Sequence, residues 1–139
     1  MKKAVVYSTT TGNTEAMANA VAEGVQKSGA ELLFTTADSA NEDEVLASDV
    51  IILGTPAMGD EVLEDTMEVF FTSIEKKLAG KKVALFGSYD WGDGQWLRDW
   101  AARVKAGGGT VINGDGLMGH LDPDDECKAA CVQLGETAN

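Results

Sequence analysis

The sequence is short of most residue types from which reactive sites are assembled. It holds two cysteines, two prolines and one histidine. That excludes a disulfide scaffold and leaves no credible metal-ligand cluster. Cys127 and Cys131 stand one helical turn apart, on a stripe continued by Leu134, and read as core packing. His120 lies outside every loop singled out below, so it reads as a surface residue and anchors no Ser-His-Asp arrangement. No apolar run approaches the roughly 20 residues that span a bilayer. The opening MKKAVVYS is too short in apolar residues for a secretory signal, which places the protein in the cytoplasm.

Positive charge is scarce as well. There are 11 bases against 23 acids, a net charge of −12, and from Ser28 to Glu75 the chain carries 12 acids and no base. Nucleic acid and anionic membranes are thereby excluded as partners. The acidic stretch reads either as a solubilising surface or as a field that steers a basic partner inward; composition does not choose between them.

What is present is a regular alternation. The 139 residues fit one domain, 1–139, with no linker or repeat. Apolar runs at Ala4–Tyr7, Glu31–Thr36, Asp49–Gly54 and Lys81–Gly87 read as strands. A fifth is expected at Gly109–Asn113, resuming at Leu117–Met118. Helical spacing appears over Asn13–Ser28, with Gly29 as its stop, and around Met67, Phe70, Phe71, Ile74 and Leu78. It recurs around Trp96, Leu97, Trp100, Ala101 and Val104. Asn41 and Glu44 have capping-box spacing for a short helix to Ala47. Asp122 and Pro123 are expected to open the last helix as N-cap and first helical residue. Strands alternating with helices imply a doubly wound α/β fold, a five-stranded parallel sheet with helices on both faces. Ligands in such sheets bind beyond the carboxyl ends of the strands, so three loops matter.

The first is YSTTTGNT, Tyr7–Thr14. Thr9, Thr10, Thr11 and Thr14 offer hydroxyls, Gly12 permits a tight turn, and a helix beginning near Asn13 presents unpaired N–H groups. Together they suit a terminal phosphate at a helix N-terminus. The loop is neither GxGxxG nor GxxxxGK[ST], which argues against a pyrophosphate and against a lysine-gripped nucleotide. The alternative is a hydroxyl-rich cap with no ligand. The second loop, Thr55–Asp65, brings Met58 and a turn over Met58–Glu61, with Gly59 where a type II′ turn requires glycine. The third, GSYDWGDGQW, sets Tyr89 and Trp91 among glycines just past a strand end. Aromatics there suggest a stacking platform for a flat ligand, or else lid packing.

TGNTEAMA, PAMGDEVLED, KKVALFGSY and WGDG, in that order at those strand ends, resemble the short-chain bacterial flavodoxins over the whole chain. That family is itself a standard illustration of ligand binding at the switch point, with strand order 2-1-3-4-5. The resemblance implies non-covalently bound FMN and a low-potential one-electron carrier cycling between neutral semiquinone and anionic hydroquinone. It implies a phosphate site of Thr9, Thr10, Thr11, Gly12, Asn13, Thr14 and Ser88. Met58 and Trp91 would flank the flavin ring, Glu61 would accept from its N3–H, and Tyr89, Asp90, Trp91 and Gly92 would border its pyrimidine edge. The Gly59 carbonyl would turn toward N5 on reduction. Thr55, Pro56, Ala57 and Asp60 complete the candidate set.

Four positions depart from the family pattern. Thr10 and Asp90 stand where glycine is usual, and Thr55-Pro56 replace smaller residues. Thr10 restricts the backbone, whereas Asp90 tolerates positive φ. The Asp90 carboxylate is expected to lower the second reduction potential. Partners would be basic-patched redox proteins, with the protein a monomer. A small FMN-dependent reductase is the main alternative, but it needs a substrate or nicotinamide site that no segment supplies. A receiver domain would need acids at Ser8–Thr10 and at Gly54–Pro56, and a plain phosphate-binding module leaves Met58, Tyr89 and Trp91 unexplained.

Overall fold

The computed structural model describes residues 1–139. Its strands are β1 (Lys2–Tyr7), β2 (Glu31–Thr36), β3 (Val50–Gly54), β4 (Lys82–Tyr89), β5 (Thr110–Val111) and β6 (Leu117–His120). The helices are α1 (Asn13–Lys27), α2 (Glu42–Leu46), α3 (Asp65–Ile74), α4 (Gln95–Ala106) and α5 (Asp125–Thr137). All pairings are parallel, in the order β2-β1-β3-β4-β5, with β6 also paired to β4. The order and the helices on both faces agree with the sequence reading.

Alternation along the central strands explains why they read as unbroken apolar runs. Ala4, Val6, Ile51, Leu53, Val83 and Leu85 face one way, into a cluster with Met67, Phe71, Trp96 and Trp100 of α3 and α4. Val5, Tyr7, Val50, Ile52, Ala84 and Phe86 face the other, against Met17, Val21 and Cys131 of α1 and α5. Each of these residues is therefore buried, whichever side it serves. Cys131 sits in that second core as a free thiol, and burial pushes its pKa up to about 12. A thiol so raised is unreactive, in keeping with a packing role.

Two boundaries differ from expectation. The fifth strand lasts only two residues before the chain leaves the sheet. In the gap, Leu85 N–H donates to Asn113 Oδ1 at 3.1 Å and Asn113 Nδ2 donates to the Leu85 carbonyl at 2.8 Å. A side-chain amide thus replaces the missing backbone ladder before β6 resumes it. The last helix is capped by Asp124, whose Oδ1 accepts from Cys127 N–H at 2.8 Å, rather than by Asp122. Pro123 consequently precedes the cap instead of following it.

Helices α3 and α4 are joined by Arg103. Its guanidinium donates to Glu68 at 2.8 Å and to Glu75 at 2.9 and 3.0 Å, and lies 4.8 Å from the Phe71 ring centre. Those bonds hold both carboxyls below their ordinary range. On the opposite face, α1 and α5 touch backbone to backbone. A Cβ at Gly24 would lie 1.9 Å from the Val132 carbonyl oxygen, and one at Gly135 would lie 2.0 Å from that of Val21. Buried Lys3 reaches the end of α5, donating to the Gly135 carbonyl at 2.9 Å. There its charge complements the carbonyl-rich helix terminus.

Candidate functional site

The loops that follow β1, β3 and β4 emerge side by side, because these strands are neighbours in the sheet. They are bonded to one another. The hydroxyls of Ser8 and Thr55 share a hydrogen bond of 2.9 Å, and those of Thr14 and Ser88 share one of 2.6 Å. Ala57 N–H donates to the Ser88 carbonyl at 2.9 Å, and Glu64 N–H reaches Thr55 Oγ1 at 3.3 Å. Thr55, a departure from the family pattern, is thus the hub that ties the first loop to the second.

In the first loop Thr9 Oγ1 accepts from Gly12 N–H at 3.0 Å, while Thr10 and Thr11 are exposed. Helix α1 starts after Gly12 with no side chain capping it, so its first N–H groups stay available to an anion. One proton of the Thr14–Ser88 pair is used in their mutual bond, which leaves the other to donate. Thr10 does not adopt positive φ, and its replacement of glycine therefore costs this conformation nothing.

The second loop closes the expected turn, with Glu61 N–H donating to the Met58 carbonyl at 2.9 Å. The positive φ, however, falls at Asp60 (63°) and Glu61 (51°) and not at Gly59. The third position of the turn carries it, as in type II, so the type II′ expectation is corrected. Asp tolerates this region better than most residues, yet two left-handed non-glycine residues in succession are stored strain of the kind found at binding sites. Glu64 then caps α3, accepting from Thr66 N–H at 3.1 Å and Met67 N–H at 3.3 Å. Burial pushes its carboxyl up, but the bonds from Thr66, Ser8 and Met67 outweigh that and hold it below its ordinary value.

In the third loop the two aromatics part company. Tyr89 is the last residue of β4 and packs against Trp96 at 5.9 Å and His120 at 4.9 Å between ring centres. Trp91 lies in the loop and is 61% exposed, the one broad ring presented to solvent there. Asp90 is exposed with φ outside the positive range, which Gly92 (94°) and Gly94 (92°) take instead. His120, read from sequence as a surface residue, is exposed as expected and also braces the third loop. Register places it opposite Tyr89 in the β4–β6 pair, and its Nε2–H donates to the Asp90 carbonyl at 2.9 Å. Nothing local in the sequence signals this, because it depends on β6 resuming beside β4.

Glu61 connects the second loop to the third. Its Oε1 is buried and has no hydrogen-bond partner, and it lies 2.3 Å from where a Cβ on Gly92 would stand. A buried carboxylate oxygen without a donor calls for one from a ligand or water. The uncapped helix start and the free hydroxyls fit the phosphate of FMN, the exposed Trp91 ring fits its ring face, and this acceptor fits its N3–H.

A sequence model of the flavodoxin family matches residues 5–135. The chain is 47% identical over 135 residues to a flavodoxin of Megasphaera elsdenii, covering 96% of each chain. It is 45% identical over 133 residues to one of Clostridium beijerinckii, covering 95% of each. The solution structure of the two-electron reduced Megasphaera elsdenii flavodoxin superposes with a TM-score of 0.85 at 45% identity, over 99% of this chain and 98% of that one. An archaeal flavodoxin gives 0.89 at 28% identity, over 98% and 94%.

Proposed function

The chain belongs to the flavodoxin family, so it binds FMN and carries electrons between redox proteins without a substrate of its own; we propose that residues 1–139 do this as one domain at low potential. FMN supplies the chemistry, taking up and releasing electrons singly. The observation that carries the proposed site is the buried, unpartnered Glu61 oxygen at the junction of the second and third loops. Thr9, Thr10, Thr11, Gly12, Asn13, Thr14 and Ser88 bind the phosphate through hydroxyls and helix-end N–H groups. Met58 and Trp91 flank the ring and exclude water from its faces. Glu61 accepts from N3–H, and the backbone of Tyr89–Gly92, braced by His120, borders the same edge. Thr55, Pro56, Ala57, Gly59 and Asp60 shape the second loop.

No lysine or arginine occurs in any of these segments, from Tyr7 to Thr14, from Thr55 to Asp65 and from Ser88 to Trp96. A ring bearing added negative charge would therefore meet no base from these loops, and their acids would repel that charge. The run from Ser28 to Glu75, with 12 acids and no base, supports docking of donors and acceptors through basic patches. The protein works as a monomer in the cytoplasm on this reading.

The purified protein is expected to be yellow, to release one FMN per chain on denaturation and to oxidise no NAD(P)H unaided. A colourless protein that takes up no added FMN would overturn the reading, and unaided NAD(P)H oxidation would favour a reductase. Asp90 gives a finer test. Its carboxylate is exposed and hydrogen-bonded to no side chain, while its backbone is held by His120. Asp90→Gly is expected to raise the lower of the two one-electron midpoint potentials by on the order of 20 mV, the size of a screened unit charge several ångströms away. Spectroelectrochemistry reads this directly, and an unmoved potential removes Asp90 from the account.

A further inference from the structure

Only three buried side-chain polar atoms in the chain lack a hydrogen-bond partner: Glu61 Oε1, Trp96 Nε1 and Trp100 Nε1. They come from a loop and a helix, 35 or more residues apart in sequence, yet all three residues line the same cavity of about 90 Å³. Both tryptophans are almost wholly buried, at 1% and 0% exposure. Isolated unpaired donors are rare in protein cores because each loses its water without compensation. Two such donors and one such acceptor around a single cavity form a complementary set.

The chemistry of the lining selects the occupant. Glu61, Glu68 and Asp99 repel an anion, and a bare cation has no lone pair to accept from the two indole N–H donors. Arg103 is also engaged by Glu68 and Glu75 through four hydrogen bonds, which leaves Glu61 without a cationic partner there. Water can accept from an indole N–H and donate to a carboxylate at once, and the volume holds about two or three molecules. We propose that this cavity is a structural water site through which Trp96 and Trp100 hold the Glu61 carboxylate in place. The two tryptophans are then positioning residues for the flavin ring, a role that rests on the reading of Glu61 as its acceptor.

Nuclear magnetic resonance of the full-length, flavin-free protein tests the water site by itself. The indole N–H signals of Trp96 and Trp100 are expected to show cross-relaxation with long-lived water and to shift in Glu61→Ala. Exposed Trp91 is the internal control and does neither. Signals that see no water, or that ignore Glu61→Ala, overturn the water site. Binding of FMN and of riboflavin tests the positioning role, because both carry the ring and only one the phosphate. Trp96→Phe keeps the ring and loses the donor. It is expected to weaken both ligands about three- to tenfold, the worth of one net hydrogen bond, and to have no further effect in a Glu61→Ala background. Equal weakening in both backgrounds makes Trp96 an ordinary core residue and overturns the positioning role. A protein that takes up neither ligand defeats the flavin reading and the positioning role together, while the indole signals still decide the water site.

Discussion

Replacing Gly92 with alanine is expected to weaken FMN binding about 100-fold. Two costs combine. Gly92 holds φ at 94°, a region that costs a residue with a Cβ about 1–2 kcal/mol, a cost that enters binding because an alanine-bearing free loop is expected to relax and must return to this shape around the flavin. The new methyl would also stand 2.3 Å from Glu61 Oε1 and 2.7 Å from its carboxyl carbon, so Glu61 has to leave its place. A hydrogen bond to a charged group contributes about 1.5–3 kcal/mol. Together these reach about 3 kcal/mol, or two factors of ten. Quenching of flavin fluorescence measures the affinity. Gly29→Ala is the control, since Gly29 also has positive φ (81°) but open space around it. In a Glu61→Ala background the Gly92 effect should shrink to about tenfold, the part due to the backbone alone. Wild-type affinity in Gly92→Ala would remove Glu61 from the ring's edge.

The largest loss of stability is expected at the contact between α1 and α5. Gly135→Ala should lower the unfolding free energy by about 3 kcal/mol, against the roughly 5–15 kcal/mol that domains of this size possess. Inside a helix, glycine to alanine is ordinarily stabilising by about 1 kcal/mol, so propensity predicts the opposite sign. The clash decides the outcome. A methyl 2.0 Å from the Val21 carbonyl oxygen and 2.8 Å from Val25 N cannot be relieved by a rotamer change, because both obstacles are backbone. The helices must separate, which also draws the Gly135 carbonyl away from the Lys3 ammonium it accepts from at 2.9 Å. A buried ammonium drawn off the nearer of its two acceptors, the other being the Glu136 carbonyl at 3.4 Å, adds to the loss. Urea unfolding of flavin-free protein measures the effect; a stability equal to or above wild type would show that the contact is loose.

How much of this was legible in the sequence follows from how local each signal is. Periodicity set by burial gave the strands, their order of appearance and helices such as α1 and α4, since each residue's environment is written in its own neighbourhood. Gly29 after α1 and Asn41 before α2 were readable for the same reason. The break after Val111 was not, because it is compensated by an Asn113 amide bonding to Leu85 across the sheet. The choice of Asp124 over Asp122 as cap turns on where β6 ends. His120 reaches the site only through strand register, and the unpaired atoms of Glu61, Trp96 and Trp100 come together only in three dimensions. Motif spacing located the loops, therefore, but not the side chains that support them.

The bonds between the loops have a kinetic consequence. Ser8 to Thr55, Thr14 to Ser88 and Ala57 to Ser88 are bonds between the protein's own groups. Dipoles fixed in this way would rearrange little around charge gained by a bound flavin, which would keep the reorganisation energy of transfer small. Open space is kept at two turns of the site, where nothing stands within 4 Å of a Cβ at Gly12 or at Gly59.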